Sequence, residues 1–146
     1  MTEKRKKFYT RSKIWIEDDE GNVVFGLGRF RMLNAIKEHG SLLGASKALS
    51  MGYRAIWSRI KSTEKRLGLP LLITQQGGSK GGGSQLTPLA EALLEEFEKV
   101  YKNIERMTDD EFEKTLGNHI SIKNSEAQLI ELPSDSDSSS NVEIFK

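Results

Sequence analysis

The chain has 146 residues, of which 36% are hydrophobic and 29% charged, with a net charge of +1 and no cysteine. That length fits one compact domain with an appendage, and the missing cysteine excludes disulfides, thiolate-held zinc and a cysteine nucleophile. The two histidines, His39 and His119, lie far apart in sequence and make a poor metal site. No run of about 20 apolar residues is present to span a bilayer, and the basic stretch Met1 to Lys7 is not followed by the apolar segment of a signal peptide. A cytoplasmic protein with no membrane partner and no cofactor is therefore expected.

The near-neutral total conceals a segregation of charge. Residues 29 to 87 hold ten Lys/Arg against two Asp/Glu, a net of +8, whereas residues 88 to 146 hold six against fourteen, a net of −8. Clustered cations attract phosphates whatever the total charge, because salt screens the distant acidic half more than the nearby basic patch. A polyanion partner is expected for the middle of the chain.

Residues 1 to 12 read as a basic arm. Lys13 to Glu17 alternates polar and apolar, and Val23 to Phe25 follows an acidic turn containing Gly21 and Asn22, so a β-hairpin is predicted. The run Glu17 to Glu20 lacks the spacing of a calcium loop. From Phe30 the period changes to that of a helix, with Phe30, Leu33, Ala35, Ile36 and Lys37 leading to a stop at Gly40. Ser41 caps a short second helix, Leu42 to Leu49, with Leu42, Ala45, Ala48 and Leu49 on one face. The turn Ser50 to Gly52 precedes a longer helix from Tyr53 to Leu67, in which Ile56, Ile60, Thr63 and Leu67 are spaced for the core.

Two helices joined by a short glycine-containing turn form a helix-turn-helix, whose second helix fits the roughly 12 Å major groove of DNA. An ordinary helical hairpin has the same outline. The exposed face of the second helix favours the DNA reading, since it carries Tyr53, Arg54, Ser58, Arg59 and Lys61. Tyr53 and Arg54, at its N-terminal end, are placed for base edges; Ser58 and Arg59 for bases or phosphates; Lys47 and Lys61 for phosphates. Trp57 is expected to pack against the neighbouring helix, and Lys65 and Arg66 to be solvated or directed at the DNA backbone.

Leu71 to Thr74 and Gln85 to Thr87 read as two strands around a glycine-rich loop, Gly77 to Ser84, with Lys80 at its tip to meet phosphate or the minor groove. The Gly-Lys-Ser/Thr order of a phosphate-binding P-loop is absent. A flexible linker is the alternative, but the flanking strands favour a wing. Thr87 and Pro88 start a long helix, in which Leu93, Phe97, Val100, Ile104 and Met107 recur at spacings of four and three and form a seam. Self-association through this seam is favoured over packing within the chain. Thr108 to Glu111 has the pattern of a capping box and predicts a further short helix stopped at Gly117. The residues from 118 on are acidic and serine-rich, expected to be disordered, and able to compete with DNA for the basic middle.

Taken together, GSLLGASKAL from Gly40 to Leu49, YRAIW from Tyr53 to Trp57, LGLPL from Leu67 to Leu71, GGSKGGG from Gly77 to Gly83, and Leu86-Thr87 resemble the N-terminal winged helix-turn-helix domain of ModE-type molybdate-responsive regulators. They are more distantly similar to LysR-type DNA-binding domains. The resemblance covers about residues 13 to 116. It implies a homodimeric transcription regulator, paired through a helix, that binds duplex DNA with the helix from Tyr53 and the wing around Lys80. Gly52 departs from the pattern, standing where the family usually has a serine cap. The oxyanion-binding domains that follow the linker helix in full-length members are replaced here by an acidic tail, so molybdate sensing is not expected.

The resulting expectation is a mainly α fold with a small β component. A winged helix-turn-helix domain with an N-terminal hairpin occupies 13 to 87, linker and dimerisation helices 88 to 117, and an acidic tail 118 to 146. A protein-interaction adaptor on a winged-helix scaffold is the alternative function. An enzyme is not expected, since no nucleophile and base recur at a workable spacing.

Overall fold

A computed structural model describes residues 6 to 78 and 81 to 122. The described residues fall into two units, one built from Ile14–Glu98 and the other from the described parts of Met1–Lys13 and Lys99–Ile144. The division lies inside a helix.

In the first unit, β1 (Trp15–Glu17) pairs antiparallel with β2 (Val23–Gly26), Ile16 opposite Phe25. Their turn is organised by Asp18, whose carboxylate accepts the backbone N–H groups of Glu20 and Asn22 at 3.0 and 2.8 Å. The Asn22 backbone bond is the leading reason its pKa lies below the ordinary carboxylate value, so this residue is a turn-former. Gly21 takes φ +81°, a left-handed conformation suited to glycine.

Helix α1 (Leu27–His39) begins three residues earlier than its apolar period suggested, directly out of β2. It buries Met32, Leu33, Ala35 and Ile36 and ends at Gly40, whose φ of 72° lets its N–H reach the carbonyl of Ile36 at 2.8 Å. Helix α2 (Leu42–Leu49) is capped as expected, the Ser41 hydroxyl accepting the N–H of Gly44 at 2.9 Å. It buries Leu42, Ala45 and Ser46, while Ala48 is exposed, because the inward stripe runs from Leu42 through Ala45 and Ser46 toward Leu49 and Ala48 falls outside it. Helix α3 (Tyr53–Leu67) buries Ile56, Ile60 and Thr63.

Strands β3 (Leu72–Gly78) and β4 (Gly81–Leu86) form the wing, paired from Leu72 opposite Leu86 to Gly78 opposite Gly81. Both strands reach further than expected. Most of the glycine-rich stretch is paired backbone and not loop, and the register slips between Gln75 and Gly78. Glycine is required at Gly83 by a close approach. The neighbouring Ser84 donates its N–H to the Gly40 carbonyl at 2.8 Å, and a Cβ on Gly83 would lie 2.9 Å from that same oxygen. The wing is thereby anchored to the end of α1.

Helix α4 (Pro88–Lys114) starts at Thr87, which accepts the N–H of Ala90 on its hydroxyl at 3.3 Å and donates that hydroxyl to the Pro70 carbonyl at 2.9 Å. Ala90, Leu94 and Phe97 are buried, and the Phe97 ring meets Phe25 edge-on at 5.0 Å and Phe30 at 5.9 Å. Phe97 therefore leaves the expected dimer seam for the chain's own core.

The second unit contains the rest of α4 and α5 (Leu116–Ile122). The expected capping box at Thr108 does not start a helix. The Thr108 hydroxyl instead donates to the Ile104 carbonyl one turn back at 2.8 Å, a bond a helix interior accommodates, and α4 continues to Lys114. The interruption is at Thr115, and Gly117 lies inside α5 and is buried. In this unit Tyr101 donates its hydroxyl to the Ser12 carbonyl at 2.7 Å and Thr10 donates to Asp109 at 2.9 Å, tying the N-terminal segment to α4. Of the disordered tail expected from 118, residues 118 to 122 are instead helical as part of α5, and the rest lies outside the described residues.

Candidate nucleic-acid interface

The helix-turn-helix is set by backbone geometry at three consecutive residues. Ser50 adopts φ +51°, unusual for a residue with a side chain, and its N–H returns to the Lys47 carbonyl at 3.3 Å. Met51 returns its N–H to the Ser46 carbonyl at 3.0 Å, closing α2. Gly52, at φ −66° and ψ 140°, then turns the chain into α3 with no side-chain cap.

The direction of α3 is fixed by what it buries. Ile56 and Ile60 are fully enclosed, and Thr63, also fully enclosed, satisfies its hydroxyl by donating to the Val24 carbonyl at 2.8 Å. At the C-terminal end Gly68 caps the helix at φ 70°, and the Glu64 carboxylate accepts the N–H of Leu71 at 2.7 Å and of Leu72 at 3.4 Å. Burial raises the pKa of Glu64, but the Leu71 N–H, the Lys61 side chain and the Leu72 N–H outweigh it and hold the pKa below its ordinary value. This carboxylate therefore ties α3 to the base of the wing.

With Ile56, Ile60 and Thr63 turned inward, the residues at 53, 54, 57 and 58 share the opposite, solvent-facing side. Tyr53 is 48% exposed and Trp57 47%, with Arg54 and Ser58 exposed beside them. Trp57 corrects the expectation that it packs against the neighbouring helix. It lies one residue beyond Ile56, a rotation of about 100° around the helix, and that step carries it out of the core. Lys47 is exposed on α2.

Two expected contacts are modified by neighbours. Lys61 is exposed, yet its ammonium is 3.0 Å from the Glu64 carboxylate, which offsets the charge intended for a phosphate. Arg59 is half-buried. Its charge acts with that of Arg66 on Arg29, whose guanidinium is pushed below its ordinary basicity first by burial and then by those two cations. Arg66 donates to the Val23 carbonyl, so it serves the packing of α3 on the hairpin in place of the backbone contact expected of it. Arg29 was not identifiable from sequence as part of this cationic group, because it follows Gly28 at the start of a helix whose apolar period begins at Phe30. Lys80 lies outside the described residues.

Of the expected seam, Leu93 and Ile104 are half-buried, Val100 is 48% exposed and Met107 62% exposed. Among the described residues no group of three or more His, Cys, Asp and Glu could hold a metal ion, and no helix is long and apolar enough to cross a membrane.

Comparison with known proteins falls on this same part of the chain. Residues 27–91 match the model of the bacterial regulatory helix-turn-helix protein, lysR family. The molybdenum-pterin-binding protein MopB of Rhodobacter capsulatus is 30% identical over 91 residues, 62% of this chain and 33% of that protein. The transcriptional regulator ModE of Haemophilus influenzae is 34% identical over 84 residues, 58% of this chain and 31% of that protein. The chain thus spans about a third of the length of these curated relatives. Among solved structures, a CbnR DNA-binding domain–DNA complex is 23% identical, with a TM-score of 0.47 over 60% of this chain and 94% of that one. Over residues 27–91 the chain is accordingly similar to helix-turn-helix proteins of the bacterial regulatory lysR family, and it has further sequence relatives among the ModE and Mop proteins.

Proposed function

We propose that this chain is a transcription regulator that binds duplex DNA sequence-specifically, with the N-terminal half of α3 in the major groove. The observation that carries the reading is the exposed set Tyr53, Arg54, Trp57 and Ser58 on the second helix of a helix-turn-helix. Arg54 is assigned to a base edge, since a guanidinium fits the paired acceptors of guanine, with Tyr53 beside it. Ser58 and Arg59 are assigned to bases or phosphates, and Lys47 to phosphate. Lys61 is a weaker phosphate contact because of Glu64. Lys80, between the two strands of the wing in sequence, is proposed as a further phosphate contact. The excess of cations between 29 and 87 supports all of these assignments.

The second partner is another copy of the chain. Exposed Val100 and Met107 on α4, with half-buried Leu93 and Ile104, support pairing through that helix. Phe97 is omitted from the interface because it is enclosed against Phe25 and Phe30. The reading is of a binding protein in the cytoplasm, without catalysis, metal or cofactor.

The test is selection of duplexes from a random pool by the purified chain at near-physiological salt. Enrichment of an inverted repeat with half-sites about one helical turn apart is the expected result. Retention of no duplex would overturn the reading and return the protein-interaction adaptor to first place.

A further inference from the structure

Tyr53 and Trp57 stand one turn apart on α3 and, with Arg54 and Ser58, line an open dent of about 400 Å³. Both rings are about half exposed, although the opposite face of the same helix is fully enclosed. A pair of large aromatic side chains left in water at this spacing is unusual on a small domain and marks a contact surface. The dent differs from the rest of the face in chemistry. Arg54 supplies charge and hydrogen-bond donors, but the two rings offer apolar walls that gain nothing from a phosphate.

A duplex presents one apolar group on its major-groove base edges, the C5-methyl of thymine. From this match we infer that the dent between Tyr53 and Trp57 receives a thymine methyl group, with Arg54 held alongside to read a neighbouring base pair. The inference rests on the proposed DNA binding and adds a second recognised chemistry to it. Charge brings the helix to DNA, since Lys47 and the cationic middle of the chain suit any sequence's phosphates. The aromatic pair discriminates, because only a step with thymine in register covers both rings and removes them from water. The exposure of Trp57 is then accounted for by its occupant, as packing within the chain does not account for it.

The experiment uses the full chain and the duplex obtained by selection, with each thymine in turn replaced by deoxyuridine, which lacks only the methyl group. Affinity is measured by fluorescence anisotropy. At one thymine per half-site, loss of the methyl is expected to weaken wild-type binding about fourfold, the effect of one buried methyl group. Trp57→Ala should bind the thymine and deoxyuridine duplexes equally at that position, while Trp57→Phe should keep part of the difference. Because Trp57 is half exposed, the thermal unfolding of both variants should match the wild type. Indifference of the wild type to deoxyuridine at every position, with sequence-specific binding intact, would overturn this inference and leave the DNA reading standing. So would discrimination that survives both Trp57→Ala and Tyr53→Ala. Tighter binding to single strands than to the duplex would reassign the rings to base stacking and overturn it as well. Retention of no duplex at all would remove the DNA reading itself, and this inference with it.

Discussion

The two units of the chain treat their apolar side chains in opposite ways. In Ile14–Glu98, Phe25, Leu33, Ile36, Ile56, Ile60 and Leu71 are completely enclosed, and the first turns of α4 contribute Ala90, Leu94 and Phe97 to the same core. In the described part of Lys99–Ile144, Val100, Met107, Leu116 and Ile120 all remain exposed, and Gly117 is the buried residue of that stretch. The first unit thus closes most of its apolar residues into one core, while Ile16, Leu43, Tyr53, Trp57, Leu69 and Ile73 remain about half exposed on its surface. The second leaves an apolar surface, the condition for association through α4. One continuous helix serves both purposes, and the change occurs within a turn of Phe97.

The sharpest way to break this contrast is to truncate one residue from each side of the change. Phe97→Ala is expected to cost about 3 to 5 kcal/mol of unfolding free energy, because it empties a site lined by Phe25 and Phe30. Met107→Ala, at a largely exposed residue, should leave the unfolding of the winged unit almost unchanged and weaken self-association in sedimentation equilibrium. If Phe97→Ala were mild, or Met107→Ala shifted unfolding as much, the division of labour along α4 would be wrong.

A smaller perturbation probes how closely the first unit satisfies its polar groups. Thr63→Val keeps the shape and deletes the hydroxyl that meets the Val24 carbonyl, so a loss of about 1 to 3 kcal/mol in urea unfolding is expected. On the ligand side of the same helix, Arg54→Ala should leave unfolding unaffected and cost about 1 to 3 kcal/mol of binding on the best duplex, relaxing the preference at one position. Equal loss on every sequence would demote Arg54 to a phosphate contact.

Glu64 gives the contrast a pH dependence. Its carboxyl is held below the ordinary value in the folded protein, so its stabilising contribution is fully present above the unfolded-state value of about 4.3. It is lost as pH falls through the lower folded value. Glu64→Gln should flatten the acid limb of thermal stability in that window, and an unchanged profile would show that the wing is not held through this carboxylate. The smallest expected effect is at Gly52, where φ of −66° and free space around the site admit a side chain. Gly52→Ser should raise stability by a few tenths of a kcal/mol by capping α3, and a loss of stability would mean that the turn needs glycine for another reason.

Much of the fold was legible because its signals are local. Ser41 and Thr87 announce helix starts through their hydroxyls, Gly40 and Gly68 announce helix ends through their φ angles, and the spacing of Ile56, Ile60 and Thr63 defines the inward face of α3. The failures occur where a local pattern had two outcomes. Thr108 to Glu111 has the residues of a capping box, but whether its threonine caps a new helix or bonds back into an old one depends on whether the preceding turn stays helical. Glycines at 77 to 83 suit a loop as well as a strand, and the Gly40 carbonyl, reachable only after α1 and the wing meet, resolves the choice at Gly83.

The candidate interface divides along the same line. The cationic middle of the chain, the order of helices, turn and wing, and the presence of Tyr53 and Arg54 at the start of the second helix follow from the amino-acid order, because charge and helical period are properties of neighbours in sequence. Tertiary structure alone decided that Trp57 faces solvent while Phe97 joins the core, and that Arg29 lies in the field of Arg59 and Arg66. Each of these depends on residues distant in sequence or on the rotation of a helix against its neighbours, and an apolar or charged residue carries no mark of the partner it will meet until the chain has closed around it.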